Sequence, residues 1–113
     1  MCKFGQIVLI PFPFTDLTSA KLRPALIISK NAIGNDIIVV FITSKTQNQN
    51  AKNLIYIKDT DKIFEQTGLK TNSIIRLDKI ATLNKKLILG ELGELPKTFL
   101  KQHAKTFSKI FGF

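Results

Sequence analysis

The length of the apolar runs does most to limit what this chain can fold into. They come five to eight residues at a time, rich in Ile, Val and Leu, and turn residues separate them. That pattern belongs to strands; helices need longer stretches with a three-to-four-residue period. "GQIVLIPF" (5–12) is apolar on both faces and predicts a buried strand. "LRPALIIS" (22–29), "DIIVVFIT" (36–43) and "NLIYI" (53–57) predict three more. Gly34 and Asn35, between the second and third runs, have the chemistry of a hairpin turn. "NSIIRL" (72–77) and "KLILGEL" (86–92) predict two further short strands, with "KIATLN" extended or turning between them. The period changes after Pro96. Phe99, Leu100, Ala104, Phe107, Ile110 and Phe111 recur at helical spacing, and Gly112 suits a helix end. The expectation is one domain over 1–113: mainly β, a small curled antiparallel structure closed by one C-terminal amphipathic helix.

Charge separates the function classes. Seventeen basic residues against eight acidic ones give a net charge of +9. A surplus of that size favours a polyanionic partner over a neutral one. Only two of the cations are arginine, Arg23 and Arg76. A guanidinium grips phosphate with two parallel N–H groups, whereas an ammonium is a point charge. The two arginines are therefore the first site candidates. No apolar run is long enough to span a bilayer, and the N-terminal run enters Pro11 and Pro13, so it reads as a strand and not a leader. The single cysteine, Cys2, cannot form an internal disulfide, which suits a reducing compartment.

Several kinds of chemistry lack their residues. There is no Gly-rich phosphate loop, no cysteine pair and only one histidine, His103, which lies beside the apolar stripe of the helix. A Ser-His-Asp triad or a two-histidine ribonuclease therefore has no basis here. Asp59 and Asp61 share a lysine-rich turn and read as solvated, not as metal ligands. What remains is a polar group set at strand ends. If 22–29 and 36–43 form a hairpin, the start of one lies beside the end of the other, which brings Arg23 next to Thr43. An arginine beside a hydroxyl on a basic rim can bind a phosphate. The same two residues are also what ordinary polar strand ends look like, and on spacing alone both readings stand.

In order, "GQIVLIPFPFTDLTSAKLRPALIIS", "IIVVFITSKTQ", "SIIRLDKIATLNKKLI" and "LGEL" resemble the PemK/MazF family of bacterial toxins, over essentially the whole chain. The resemblance implies an SH3-like small β-barrel with a C-terminal helix, working as a homodimer in the bacterial cytoplasm. It implies a metal-independent, cofactor-free endoribonuclease that cuts single-stranded RNA at short motifs. The ribose 2′-hydroxyl attacks the adjacent phosphate, leaving 2′,3′-cyclic phosphate and 5′-hydroxyl ends. The family's catalytic arginine falls on Arg23 and its catalytic threonine on Thr43.

RNA contacts are expected from the segment before Arg23 (Phe14, Thr15, Asp16, Ser19, Lys21), from the end of the third run (Ser44, Lys45, Gln47), and from Ser73, Arg76 and Lys79. The expected protein partner is a cognate antitoxin whose acidic, flexible tail lies in the RNA groove. Two rival readings use the same residues differently: a gyrase-binding toxin acting through an exposed C-terminal helix, and a plain RNA-binding barrel. Neither has a use for the Arg23–Thr43 pair as a reacting unit.

Overall fold

The computed structural model describes residues 3–11, 21–30, 34–44 and 54–113. Six strands form one antiparallel sheet: β1 (Gln6–Pro11), β2 (Leu22–Ile27), β3 (Asp36–Thr43), β4 (Leu54–Ile57), β5 (Ser73–Asn84) and β6 (Gly90–Glu94). Their order is β4-β5-β3-β2-β1-β6, so the hairpin strands β2 and β3 lie at the centre. Short helical segments follow β4 (α1, Phe64–Thr67) and β6 (α2, Lys97–Gln102; α3, Ala104–Phe111).

The central strands are buried on both faces, as their unbroken apolar runs require. One face carries Ile7, Leu26, Val40, Ile42, Ile75 and Leu77, capped by Phe99 and Leu100 of α2. The other carries Val8, Ile10, Ala25, Ile27, Val39 and Phe41. The sheet curls until α1, which follows one edge strand, meets β6 at the opposite edge. A Cβ on Gly68 would run into the Leu92 carbonyl, and one on Gly93 into the Gln66 carbonyl. Gly68 also has φ +72°, a left-handed conformation that glycine adopts without strain. The seam closes by backbone meeting backbone, which only residues without side chains permit.

The structure departs from the sequence reading in four places. β5 is a single strand of twelve residues that absorbs "KIATLN". It carries a bulge: Val40 pairs with Ile80, but Phe41, one residue on, pairs with Arg76. The odd number of residues set aside, 77–79, exchanges the faces of β5. Ile75 and Leu77 therefore enter one core, while Ala81 and Leu83 pack on the other. The last strand starts at Gly90 rather than at residue 86, because Lys85–Leu87 form a 3-10 turn capped by the Asn84 side chain. α1 was not expected at all.

Finally, the C-terminal helix is two helices, broken at His103 (φ −104°, ψ 12°). α2 drives Phe99 and Leu100 into the core, and α3 turns to lie against β5. The His103 ring packs on Phe99 at a centroid distance of 4.6 Å, and burial lowers its pKa. It serves packing, on the far side of the sheet from Arg23. Gly112 ends α3 in the left-handed conformation, as the sequence suggested.

Candidate RNA-binding face and catalytic pair

The hairpin places the two leading candidates by register. Ala25 pairs with Phe41, Leu26 with Val40 and Ile27 with Val39. Two residues beyond Ala25–Phe41, the same register brings Arg23 level with Thr43. Cross-strand neighbours share a face, with Cβ atoms about 5 Å apart. Pro24 restricts Arg23 to extended backbone. It cannot donate to a ladder, and the pairing of β2 with β3 begins only at Ala25. At this end of the hairpin Arg23 lies on β2 and Thr43 on β3, two residues beyond the Ala25–Phe41 pair. Both side chains are half-buried. Arg23 has fully buried Ile10 on its other side, and a charge beside apolar surface acts through a lower effective dielectric than one in open water.

Reading across the sheet extends this face. Thr43 pairs with Ile74, and Ile74 with Tyr56. Phe41 pairs with Arg76, and Arg76 with Leu54. Arg76 therefore lies on the same face as Thr43, one strand over and diagonal to it. Both arginines of the chain occupy this face. So does its only tyrosine, Tyr56, which is 38% exposed and offers a ring on which a base can stack. The sequence reading missed Tyr56. Its alternation in "LIYI", opposite in phase to Ile55 and Ile57, was the available signal.

The guanidinium of Arg76 is held by Asp78. Nε donates to Oδ1 at 2.8 Å and Nη2 to Oδ2 at 2.6 Å. These hydrogen bonds hold the Asp78 carboxyl below its usual pKa and raise that of Arg76. Asp78 was also missed, although Arg-x-Asp within a strand places both side chains on one face.

The remaining expected site residues divide. Lys21 and Ser44 are exposed at the ends of β2 and β3, beside the pair. Lys79 is exposed in the β5 bulge. Ser73 is only 4% exposed, and its hydroxyl donates to the Thr71 carbonyl at 2.9 Å, which sets it beneath the surface. Phe14, Thr15, Asp16, Ser19, Lys45 and Gln47 lie outside the described residues. Among the described residues, no cluster of three or more His, Cys, Asp or Glu side chains could hold a metal ion. In the lysine-rich turn, Asp61 serves the backbone: it accepts from the Lys58 N–H at 3.0 Å.

Comparison with known proteins now decides the family. The model of the PemK-like, MazF-like toxins of type II toxin–antitoxin systems matches residues 3–111. The chain belongs to that family. No curated protein sequence matches it. Solved structures share its fold at low identity. A mycobacterial endoribonuclease in complex with its cognate antitoxin is 19% identical, with 98% of this chain and 95% of that chain covered and a TM-score of 0.73. The Mycobacterium tuberculosis toxin MazF-mt6 is 16% identical, covering 96% and 97%, with a TM-score of 0.73. The MazE–MazF complex of Deinococcus radiodurans matches at 17% identity, 98% and 96% coverage and a TM-score of 0.70.

Proposed function

We propose that this PemK/MazF-family toxin is a metal-independent, sequence-specific endoribonuclease acting on single-stranded RNA, mRNA included, in the bacterial cytoplasm. The observation that supports this reading is the register of the central hairpin: continued two residues beyond the Ala25–Phe41 pair, it brings Arg23 level with Thr43. In the reaction, the ribose 2′-oxygen bonds to phosphorus and loses its proton to solvent. The bond from phosphorus to the 5′-oxygen breaks, and that oxygen takes a proton from solvent and leaves as a hydroxyl. The products are a 2′,3′-cyclic phosphate and a 5′-hydroxyl end. The Arg23 guanidinium faces the non-bridging oxygens as they gain charge. Thr43 donates its hydroxyl to the same phosphate. Donors fixed in place before the charge develops are the ones that lower a barrier. The nucleophile comes from the RNA, so the protein needs no serine, cysteine or histidine of its own.

The test is digestion of a long single-stranded RNA in EDTA, with both ends of each fragment mapped. Discrete cuts bearing 5′-hydroxyl and cyclic phosphate ends are expected. RNA that is bound but never cut would point instead to a binding barrel. Neither cutting nor binding would point to a gyrase-directed toxin, for which the exposed Phe111 and Phe113 at the C-terminus are the natural contacts.

Two protein partners follow from the same reading. A cognate antitoxin with an acidic, flexible tail would be drawn to the surplus of +9 and would compete with RNA for the Arg23 face. A second copy of the chain would cover the apolar groove of about 320 Å³ lined by Phe4, Ile28, Leu100, Ala104, Phe107 and Phe111. Phe4 and Phe111 are 43% and 47% exposed there, which is unusual for aromatic side chains of a monomer. Light scattering should give twice the monomer mass, falling to one for Phe111→Asp. A monomeric wild type would refute the dimer.

A further inference from the structure

We propose that the crevice between the β4–α1 turn and the α2–α3 junction binds a mononucleotide, its base against the His103 ring and its phosphate between Lys58 and Lys62. The cavity measures about 410 Å³, within the range of small-ligand sites. One wall carries Lys58 and Lys62, and the other carries Phe99, Gln102 and His103. Tyr56, on the edge strand β4, is the one residue it shares with the Arg23 face. The site therefore stands apart from the catalytic pair.

Both walls are fixed before any ligand arrives. In the turn, the Asp61 carboxylate accepts from the Lys58 N–H at 3.0 Å, and the Asp61 N–H donates back to the Lys58 carbonyl at 2.9 Å. The Asn72 side chain accepts from the Asp59 N–H at 2.6 Å. These bonds hold the backbone that carries Lys58 and Lys62. Across the cavity, the His103 ring lies against Phe99 with centroids 4.6 Å apart and planes at 46°. Walls ordered in advance reduce the entropy lost when a ligand binds.

The two walls suit the two halves of a nucleotide. Burial holds His103 below its ordinary pKa, so at neutral pH the ring is an uncharged aromatic face with one N–H donor and one bare acceptor. Nucleobases stack on such rings, and the neighbouring Gln102 amide can both donate to and accept from a base edge. α2 ends on this wall, and the negative end of a helix repels phosphate. Phosphate is left with the opposite wall, where the two ammonium groups of Lys58 and Lys62 exceed the one carboxylate, Asp61, by a single charge. Neither ammonium has an ion-pair partner among the described residues. A free base lacks the lysine anchor and a bare phosphate lacks the ring, so only the two halves joined use the whole cavity.

The chain has a single histidine, so its imidazole gives one resonance that reports on this cavity. The experiment is a proton NMR titration of the whole protein at constant pH 7, followed through the His103 Hε1 signal. The probes are 5′-AMP, adenosine, inorganic phosphate and a 5′-phosphorylated 2′-O-methyl dinucleotide. 5′-AMP should move the signal saturably. Adenosine and phosphate should each bind at least about tenfold more weakly, because each keeps only one half of the contacts. Lys58 and Lys62 are exposed, so Lys58→Gln and Lys62→Gln should leave the fold intact. Each should weaken 5′-AMP roughly three- to tenfold, the effect of losing one charged donor to phosphate. Arg23→Ala should bind it as the wild type does. A His103 signal that does not move overturns the proposal. So does phosphate binding as tightly as 5′-AMP, which would leave only an anion site, and so does adenosine binding as tightly, which would leave the lysines without a role. Loss of the shift in Arg23→Ala would put the nucleotide on the other face and overturn it too. None of these results bears on cleavage by Arg23 and Thr43, which is measured separately. The dinucleotide distinguishes the source. Binding equal to that of 5′-AMP assigns the cavity to the terminal nucleotide of an RNA strand, and weaker binding assigns it to the free nucleotide; either supports the site.

Discussion

Arg23→Ala should lose RNA cleavage by about a hundred- to a thousandfold, the usual effect of removing one fixed donor from a developing oxyanion. The measurement is single-turnover cutting of a short RNA that carries one preferred site. The expected loss follows from position. Arg23 is half-buried, extended by Pro24, and set between buried Ile10 and Thr43 at the end of a central strand. Arg23→Lys keeps the charge but loses the planar fork, and should recover only a minor part of the rate. The fold should survive, because the core on that face is built by Val8, Ile10, Ala25, Ile27, Val39 and Phe41, all intact in the variant. A variant that keeps more than a tenth of wild-type cleavage would falsify the assignment.

Thr43→Val should show the second large effect, about a hundredfold on the same step. Valine keeps the β-branched shape that a strand favours and removes only the hydroxyl. Thr43→Ser, which restores the hydroxyl, should return most of the activity, and the serine–valine contrast separates chemistry from packing. If both residues serve one phosphate, the double variant Arg23→Ala/Thr43→Val should fall well short of the product of the two single losses. Full multiplication would mean that the two act independently, and equal activity of the valine and serine variants would mean the hydroxyl has no part.

The first three runs were legible because burial on both faces leaves an unbroken apolar signature and turn residues bound it, and the fourth because it alternates around exposed Tyr56. The Arg23–Thr43 juxtaposition was legible for a related reason: hairpin register is simple counting, and one pair fixes all the others. β5 was harder. Its face exchanges at 77–79, so no single alternation runs through "SIIRLDKIATLN", and the strand looks like a strand followed by a turn. The apolar "LIL" before Gly90 suggested a strand, yet Leu87 and Leu89 stand 43% and 62% exposed. Their apolarity marks surface, not pairing. The break at His103 left no trace in the sequence either. The residues 99, 100, 104, 107, 110 and 111 fit one continuous helix as well as two, and neither glycine nor proline marks the junction. Asp78 escaped notice because an acidic residue in a basic chain reads as solvated surface until its partner is seen.

Two different cations divide the positive charge of this molecule. Fifteen of its seventeen basic side chains are amines, distributed over the whole sequence, and the two guanidinium groups share one face. Amines lose their charge on acylation, and they take part in attraction only as mobile, strongly hydrated points. A guanidinium keeps its charge even when methylated. On the proposed reading, the charge that draws in a polyanion can thus be neutralised covalently, one amine at a time, while the charge proposed to meet a phosphate stays. Capture and chemistry would then be written in separate functional groups, and either could change over evolutionary time without rewriting the other.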